Sequence, residues 1–267
     1  LPFGVTNSLN RKSSSVRDNC STISFYQRRI IYLYGKQMSI DIIILAGGLG
    51  TRLASVVSEV PKPMAPVAGK PFLDHLLCKL PMQNVNQIIL AVGYKYEKIE
   101  EYYGHQYQNV PIIYSIEKEP LGTGGGIALA LEKMTSEHGI ILNGDTYFDV
   151  NYEELLEVHR DSNCHITLAL KQIENPDRYG TVLLDKSKIV RFQEKVLGIK
   201  TGLINGGVYA ISAAIKDLLP DATKFSFEKE VLEMNVEKGF LAGYISKGLF
   251  IDIGIPTDYE RAQTIFA

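Results

Sequence analysis

Short apolar runs alternate with amphipathic stretches along the first half of the chain. The apolar runs have the length of buried strands, and the stretches between them place apolar residues at the helical period. This pattern predicts strands at 42–45, 87–92, 112–115 and 139–142, and helices at 72–80, 96–103 and 123–134. Such alternation predicts a doubly wound α/β fold, which binds ligands at the carboxyl ends of its strands.

The second half of the chain has shorter, hairpin-like strand patterns. Strands are predicted at 166–170, 181–184, 189–192, 204–210 and 241–245, and helices at 213–219 and 227–238. Asp149 is predicted to cap a further helix that begins at Tyr152. Since no linker or internal repeat separates the two halves, we expect a single domain over residues 38–267.

Residues 1–37 follow a different pattern, rich in Ser, Arg and Asn and without a sustained period. They lack the apolar core and the small-residue cleavage site of a secretory signal. We expect a poorly ordered, non-native or upstream leader, with Met38 as the natural start. A targeting segment is the alternative, because the leader is basic and Asp18 is its single acid.

Composition narrows the classes of partner. The net charge of −2 and the hydrophobic content of 45% are ordinary for a globular protein and give no sign of a nucleic-acid or membrane partner. The three cysteines show no metal or disulfide spacing, which favours a reducing cytoplasm. Formation of a homo-oligomer is left open.

A glycine-rich loop follows the first predicted strand. Its sequence over 45–53 is L-A-G-G-L-G-T-R-L, and P-K-P follows at 61–63. Backbone N–H groups of such a loop can approach a phosphate chain closely, and Arg52 and Lys62 add fixed positive charge. The prolines around Lys62 favour a stiff, extended backbone. The layout predicts a nucleoside-triphosphate site.

Two common nucleotide loops fit less well. A Walker loop needs Gly-Lys-Ser/Thr, but Gly50 is followed by Thr51 and Arg52. A dinucleotide fingerprint needs a third glycine where this chain has Leu53. An NAD-dependent enzyme is therefore the alternative from another class, although the acid it requires about twenty residues on is not at the expected position.

The loop and the P-K-P segment resemble the signature G-G-x-G-T-R-L…P-K-P of the sugar-1-phosphate nucleotidylyltransferases. Five further segments match in order, at 119–125 (E-P-L-G-T-G-G), 143–145 (N-G-D), 194–195 (E-K), 205–209 (N-G-G-V-Y) and 252–254 (D-I-G). Among the subfamilies, the chain looks most like the D-glycero-α-D-manno-heptose 1-phosphate guanylyltransferases. That likeness rests on its compact length and on segments 63–67, 178–182 and 250–254.

The resemblance implies a Rossmann-like nucleotidyltransferase fold. Such a fold is α/β, with a mixed, mostly parallel central sheet flanked by helices in three α/β/α layers. The nucleotide half would span about 38–150 and the sugar half about 151–267. The implied reaction is Mg²⁺-dependent transfer of GMP from GTP to the heptose 1-phosphate, giving GDP-heptose and pyrophosphate.

Other substrates and one other class of function stay open. A mannose-1-phosphate guanylyltransferase or a glucose-1-phosphate thymidylyl- or uridylyltransferase has the same mechanism. A catalytically silent subunit that binds nucleotide-sugar is the further alternative. Such a subunit should have lost a phosphate-binding cation or a metal-binding aspartate. This chain retains the two cations, Arg52 and Lys62, and the two aspartates, Asp145 and Asp252.

The resemblance also implies a role for each matching residue. Arg52 and Lys62 would be catalytic, and Asp145 and Asp252 would hold Mg²⁺. The implied nucleotide-binding residues are Leu45, Ala46, Gly47, Gly48, Gly50, Thr51, Glu117, Gly122 and Thr123. The implied residues for the sugar 1-phosphate are Asn143, Gly180, Glu194, Lys195, Asn205 and Gly207.

Several of these residues allow a second interpretation. Glu117 can accept both hydrogens from the Watson–Crick edge of guanine, or it is an ordinary exposed loop acid. The glycines at 122 and 124–126 fit either the close approach of a flat base or tight packing. Asp252, an acid among apolar residues, needs either a cation or another partner, such as an arginine or a backbone N–H.

Overall fold

The structure is a computed structural model that describes residues 39–48, 53, 60–176, 179–193, 198 and 200–267. The predicted leader lies outside the described residues. Residues 39–267 form one compact unit. No helix in the described part of the chain is long and apolar enough to cross a membrane.

Fourteen strands and five α-helices are found in the described residues. The strands are β1 Ile40–Leu45, β2 Pro66–Val67, β3 Lys70–Pro71, β4 Val85–Val92, β5 Gln106–Tyr107, β6 Val110–Ile116, β7 His138–Asn143, β8 Thr146–Phe148, β9 Ile166–Glu174, β10 Thr181–Asp185, β11 Lys188–Gln193, β12 Thr201–Ser212, β13 Leu241–Ser246 and β14 Phe250–Asp252. The α-helices are α1 Phe72–Leu77, α2 Tyr96–Tyr103, α3 Gly122–Leu131, α4 Tyr152–Ser162 and α5 Pro256–Ile265. Three 3₁₀ helices and one π-helix complete the set, at Lys62–Met64, Met82–Asn84, Ala213–Leu218 and Phe227–Glu233.

The main sheet has ten strands in the order β10-β11-β13-β9-β12-β7-β1-β4-β6-β5. Parallel pairs join β7, β1, β4 and β6, which confirms the predicted α/β arrangement of the first half. In the second half β12 runs antiparallel to both β7 and β9, and β10 pairs with β12 as well as with β11. The predicted mixed sheet is confirmed, and its parallel character is concentrated in the first half.

Helices cover both faces of this sheet. On one face, α3 and the π-helix pack against a core that includes Ile43, Ile141 and Leu168. On the opposite face α4 packs over β9, where the ring Nδ1 of His159 lies 2.9 Å from the hydroxyl of Thr167. Adjacent residues of a strand point to opposite faces of the sheet. Thr167 therefore faces α4, and Leu168 faces α3 and the π-helix. The three-layer α/β/α arrangement follows.

The predicted strands and helices are present, with shifted ends. The helix predicted to reach residue 80 ends at Leu77, shortly before Pro81. The helix predicted over 227–238 is a π-helix over Phe227–Glu233. The sequence patterns did not predict the short strands β8 and β14, which pair with each other outside the main sheet, or helix α5.

The prediction that Asp149 caps α4 is wrong. Asn151 is the cap, and its side-chain oxygen accepts hydrogen bonds from the N–H groups of Glu153 at 3.1 Å and Glu154 at 3.3 Å. Asp149 lies too far from the helix start in the chain to reach these groups, and its carboxylate instead accepts a hydrogen bond from Lys79 at 3.3 Å.

A buried carboxylate fixes the amino-terminal end of β1. Asp41 is fully buried and accepts hydrogen bonds from the backbone N–H of Thr135 at 2.6 Å, the hydroxyl of Ser136 at 2.7 Å and the amide of Gln87 at 2.8 Å. Burial raises the pKa of Asp41, but these hydrogen bonds outweigh it and bring the pKa below its ordinary value. The ionised carboxylate therefore ties β1 to β4 and to the segment before β7.

We expect Asp41→Asn to lower the free energy of unfolding at pH 7 by about 3 kcal/mol, because an amide presents N–H groups to donors that need an acceptor. Ser136→Ala, which removes one donor, should cost about 1 kcal/mol.

The stabilisation by Asp41 should depend on pH. Since the pKa of Asp41 is lowered in the folded state, this stabilisation is complete above the ordinary pKa of 3.8 and disappears as pH falls through the folded value. Denaturant unfolding of Asp41→Asn and of the unaltered chain from pH 7 to pH 3 should show that the difference between their free energies of unfolding shrinks in acid. Equal stability of the two chains at pH 7 would contradict this account.

Candidate active site

An open cleft of about 200 Å³ lies at the carboxyl ends of the parallel strands. Most of its lining residues are ones that the sequence assigns to the site, and only Pro63 and Gly144 were not predicted. The lining consists of Leu45, Ala46, Gly47, Gly48, Lys62, Pro63, Glu117, Gly122, Thr123, Asn143, Gly144 and Asp145. The structure therefore brings together three motifs that are far apart in the chain.

Glycines allow the loops around the cleft to approach each other. The N–H of Gly144 donates to the carbonyl of Leu45 at 2.9 Å, and a Cβ at position 144 would lie 2.4 Å from that oxygen. A Cβ on Gly47 would lie 2.9 Å from Oε1 of Glu117. The contact at position 144 is with backbone, so Gly144 is what allows Asp145 to lie this close to the end of β1. At position 47 the shortest contact is with the end of the Glu117 side chain, which can shift.

Lys62 and Asp145 form an ion pair in the cleft. The distance between Lys62 Nζ and Asp145 Oδ2 is 2.6 Å, and the lysine side chain is only 10% exposed. The segment around Lys62 was predicted to be extended, but Lys62–Met64 is a single 3₁₀ turn. The turn is still rigid because Pro61 and Pro63 flank Lys62. The ammonium is therefore held at a fixed place beside the carboxylate.

Asp252 reaches the same place from the other end of the chain. It ends β14, which pairs with β8 so that Asp252 lies opposite Thr146, the residue after Asp145. The N–H of Ile253 donates to the carbonyl of Asp145 at 3.0 Å. Burial and the negative charge of Asp145 raise the pKa of Asp252, while Lys62 and an N–H bond from Gly254 at 2.7 Å oppose the rise.

The donor set fits a magnesium ion that is bound together with a phosphate. Mg²⁺ usually takes one or two carboxylates and completes its shell with water and phosphate oxygens. Asp145 and Asp252 supply two such carboxylates, and no group of three or more potential ligands was found among the described residues. Burial, and then the negative charge of Asp145, raises the pKa of Asp252, and Lys62 offsets this rise only in part. A cation would offset it further.

Glu117 forms one wall of the cleft and is half-buried, unlike an ordinary exposed loop acid. Its Oε2 accepts a hydrogen bond from the N–H of Leu121 at 3.1 Å. Its Oε1 lies so close to α3 that a Cβ on Gly126 would be 2.7 Å away. Burial raises the pKa of Glu117, and the N–H bond from Leu121 lowers it. The carboxylate is thus fixed in position.

Tight packing explains the glycines at the start of α3. A Cβ on Gly124 would lie 2.2 Å from the ring of Phe225, and one on Gly125 would lie 2.4 Å from the carbonyl of Thr223. Gly126 makes room for Glu117. Of the two interpretations from the sequence, the described contacts of these glycines therefore match the second, packing.

Some of the residues predicted to bind the sugar 1-phosphate contact one another. Gly207 has φ of +72° and packs against the side chain of Asn143. Asn205 accepts a hydrogen bond from the N–H of Gly207 at 3.0 Å and donates one to the hydroxyl of the fully buried Tyr209 at 2.8 Å. Gly180 is exposed before β10. Of the described sugar-side residues, Asn143 lines the cleft, and Gly180, Asn205 and Gly207 do not.

Five predicted site residues lie outside the described residues. They are Gly50, Thr51, Arg52, Glu194 and Lys195. Their roles stay predictions from the sequence.

The sequence patterns gave no role to Lys171, which fixes the far end of the β8–β14 ribbon. Its ammonium donates to the carbonyls of Lys247 at 2.9 Å and Gly248 at 2.6 Å, in the turn between β13 and β14. Gly248 in turn packs against the backbone of Asp149, which follows β8. The only signal in the sequence is a lysine directly after the buried run at 166–170.

Several known proteins are similar to this chain over most of its length. The family model described as Nucleotidyl transferase matches residues 41–267. A D-glycero-α-D-manno-heptose 1-phosphate guanylyltransferase of Aneurinibacillus thermoaerophilus is 48% identical over 84% of this chain and 96% of its own. One from Campylobacter jejuni is 47% identical over 81% of this chain and 96% of its own. The crystal structure of HddC from Yersinia pseudotuberculosis complexed with GMP-PN is 38% identical, with a TM-score of 0.73, and covers 85% of this chain and 100% of its own.

We expect Lys171→Met to loosen the β8–β14 ribbon, because two charge-assisted hydrogen bonds to the turn are lost. Amide hydrogen exchange of the ribbon should accelerate at least about tenfold, while β1 and β4 stay protected. Lys247→Met, which changes an exposed lysine of the same turn, is the matched control. An unchanged exchange rate in the ribbon, or equal acceleration throughout the sheet, would contradict the role given to Lys171.

Proposed function

We propose that this chain, which belongs to the nucleotidyl transferase family, transfers GMP from GTP to D-glycero-α-D-manno-heptose 1-phosphate. The products would be GDP-heptose and pyrophosphate. Membership of the family confirms the predicted Rossmann-like nucleotidyltransferase fold. The observation that carries the proposal is that Lys62, Asp145 and Glu117 line one cleft, and that Asp252 lies beside Asp145 at its edge.

Similarity over more than four fifths of this chain supports the proposed substrate. Two relatives of nearly half identical sequence carry the name of this activity, and the match spans 96% of each. The Yersinia relative was crystallised with GMP-PN. Residues 38–267 would form the catalytic domain, with the nucleotide half at about 38–150 and the sugar half at about 151–267.

The reaction brings two anions together. An oxygen of the sugar phosphate attacks the α-phosphorus of GTP, and the bond to the β-phosphate oxygen breaks as pyrophosphate leaves with the electron pair. No covalent intermediate with the protein is needed, so catalysis consists of alignment and charge neutralisation. Lys62 would neutralise charge at the α-phosphate, and Arg52 would bind phosphate oxygens with its planar guanidinium.

Asp145 and Asp252 would hold Mg²⁺ through their carboxylates. When bound, the ion would neutralise phosphate charge and polarise phosphoryl oxygens. Enzymes of this family generally use a divalent metal. The close carboxylates, with the pKa of Asp252 raised by burial and by Asp145, favour such a cation at this place.

Glu117 would select the base. An ionised carboxylate can accept hydrogen bonds from both N1–H and the 2-amino group of guanine, whereas uracil and thymine offer a single N–H. The bond from Leu121 fixes the carboxylate at the cleft wall before the nucleotide arrives. Asn143, Gly180, Asn205 and Gly207 would contact the sugar, with Glu194 and Lys195 completing that site.

Pyrophosphate release with Mg²⁺ tests the proposal. Each of five nucleoside triphosphates is combined with heptose, mannose and glucose 1-phosphates. We expect GTP with the heptose 1-phosphate to be turned over at least about tenfold more efficiently than any other pair, because Glu117 and the sugar side select jointly. Asp252→Asn, verified as folded, is the control and should lose at least about a hundredfold in rate.

Two results would revise the proposal in different ways. Turnover of another pair would keep the mechanism and replace the substrate. No turnover of any pair by folded protein would overturn the enzymatic assignment and favour the silent subunit.

A further inference from the structure

Residues 223–228 of the second half lie across the start of α3. The two segments exchange backbone hydrogen bonds, from Phe225 N to the carbonyl of Leu121 and from Gly124 N to the carbonyl of Phe225, each at 3.0 Å. A Cβ on Gly122, which has φ of +77°, would lie 2.6 Å from the Phe225 carbonyl. The second half therefore supports the cleft wall at Gly122 and Thr123 from behind.

One side-chain hydrogen-bond cluster reinforces this contact. The hydroxyl of Thr123 accepts a hydrogen bond from the N–H of Phe227 at 2.9 Å and donates one to Oε2 of Glu228 at 2.7 Å. The hydroxyl of Ser226 donates to the same carboxylate oxygen at 2.9 Å. The Thr123 proton is thus directed toward the carboxylate of Glu228, which is not among the residues that line the cleft.

We propose that Glu228 is a positioning residue for the nucleotide, and that it acts through the hydroxyl of Thr123. The inference rests on the proposed function, because it takes the cleft to be the nucleotide site. Hydrogen bonds to a charged acceptor are among the strong ones, so the carboxylate fixes the first turn of α3. Glu228 belongs to the sugar half, which would thereby contribute to nucleotide binding without touching the nucleotide.

The competing interpretation is that the Thr123 hydroxyl binds the nucleotide directly. Both interpretations predict weaker binding in Thr123→Val, which keeps the shape and loses the hydroxyl. The two interpretations differ in the effect that they predict for a substitution of Glu228. Only the positioning role predicts that Glu228→Ala reproduces the Thr123→Val effect and that the double variant shows no further loss.

The test measures the KM of both substrates and the calorimetric Kd of GTP·Mg²⁺. We expect Thr123→Val, Glu228→Ala and the double variant each to raise the KM and Kd for GTP about tenfold. The KM for the sugar 1-phosphate should stay within about twofold, since the sugar side is untouched. Thr123→Ser and Glu228→Gln, which keep a hydroxyl donor and an oxygen acceptor, should restore most of the affinity.

Glu230→Ala is the matched control. Glu230 accepts the N–H of Ser226 at 2.7 Å in the same turn, and its side chain is not hydrogen-bonded to Thr123 in the described contacts. We expect this variant to keep the affinity for GTP. Thermal melting establishes that every variant is folded.

Three results would overturn the inference. These are an unchanged Kd for GTP in folded Glu228→Ala, additive losses in the double variant, or equal increases in both KM values. If the unaltered chain turns over a different nucleotide, the same variants are measured with that nucleotide, so the positioning role is tested even where the assigned substrate fails. Absence of any nucleotide binding would overturn both.

Discussion

The site depends on two carboxylates that the fold forces together. Asp145 and Asp252 come from opposite halves of the chain and meet because β8 and β14 pair directly beside them. Like charges at short range repel, and burial makes the repulsion stronger. Lys62 compensates one of the charges with an ion pair at 2.6 Å. A cation and an anionic substrate bound at this place would compensate the remaining charges.

Much of the surrounding structure keeps these groups in place. The close approach of Gly144 to Leu45 fixes the start of β8 against the end of β1. Lys171 fixes the turn that leads into β14. At the other side of the cleft, Glu228 and Thr123 connect the second half to the first turn of α3. Substrate groups bound along the cleft would therefore meet a rigid frame, which limits reorganisation during the reaction.

The sequence predicts those parts of the fold that depend on local pattern. The run at 42–45 is apolar enough to mark a buried strand. The glycines at 47, 48 and 50, followed by Arg52 and Lys62, predict a phosphate loop, and residues 49–52 of that loop lie outside the described residues. Short strands such as β8 have no room to show a period, so their pairing with β14 was not predicted. Asp149 and Asn151 are both good caps, and only their distance from the helix start distinguishes them. The roles given to Lys171 and Glu228 rest on tertiary contacts with residues far away in the chain. The local spacing of residues in the sequence does not predict such contacts.

The most direct test of the paired carboxylates is a crystal structure with Mn²⁺ and a non-hydrolysable GTP analogue, using anomalous scattering to locate the metal. We expect an Mn²⁺ peak between the carboxylates of Asp145 and Asp252, in contact with an α-phosphate oxygen, and the guanine edge against Glu117. An ion bound only to the β- and γ-phosphates, or one that contacts neither aspartate, would contradict the central claim.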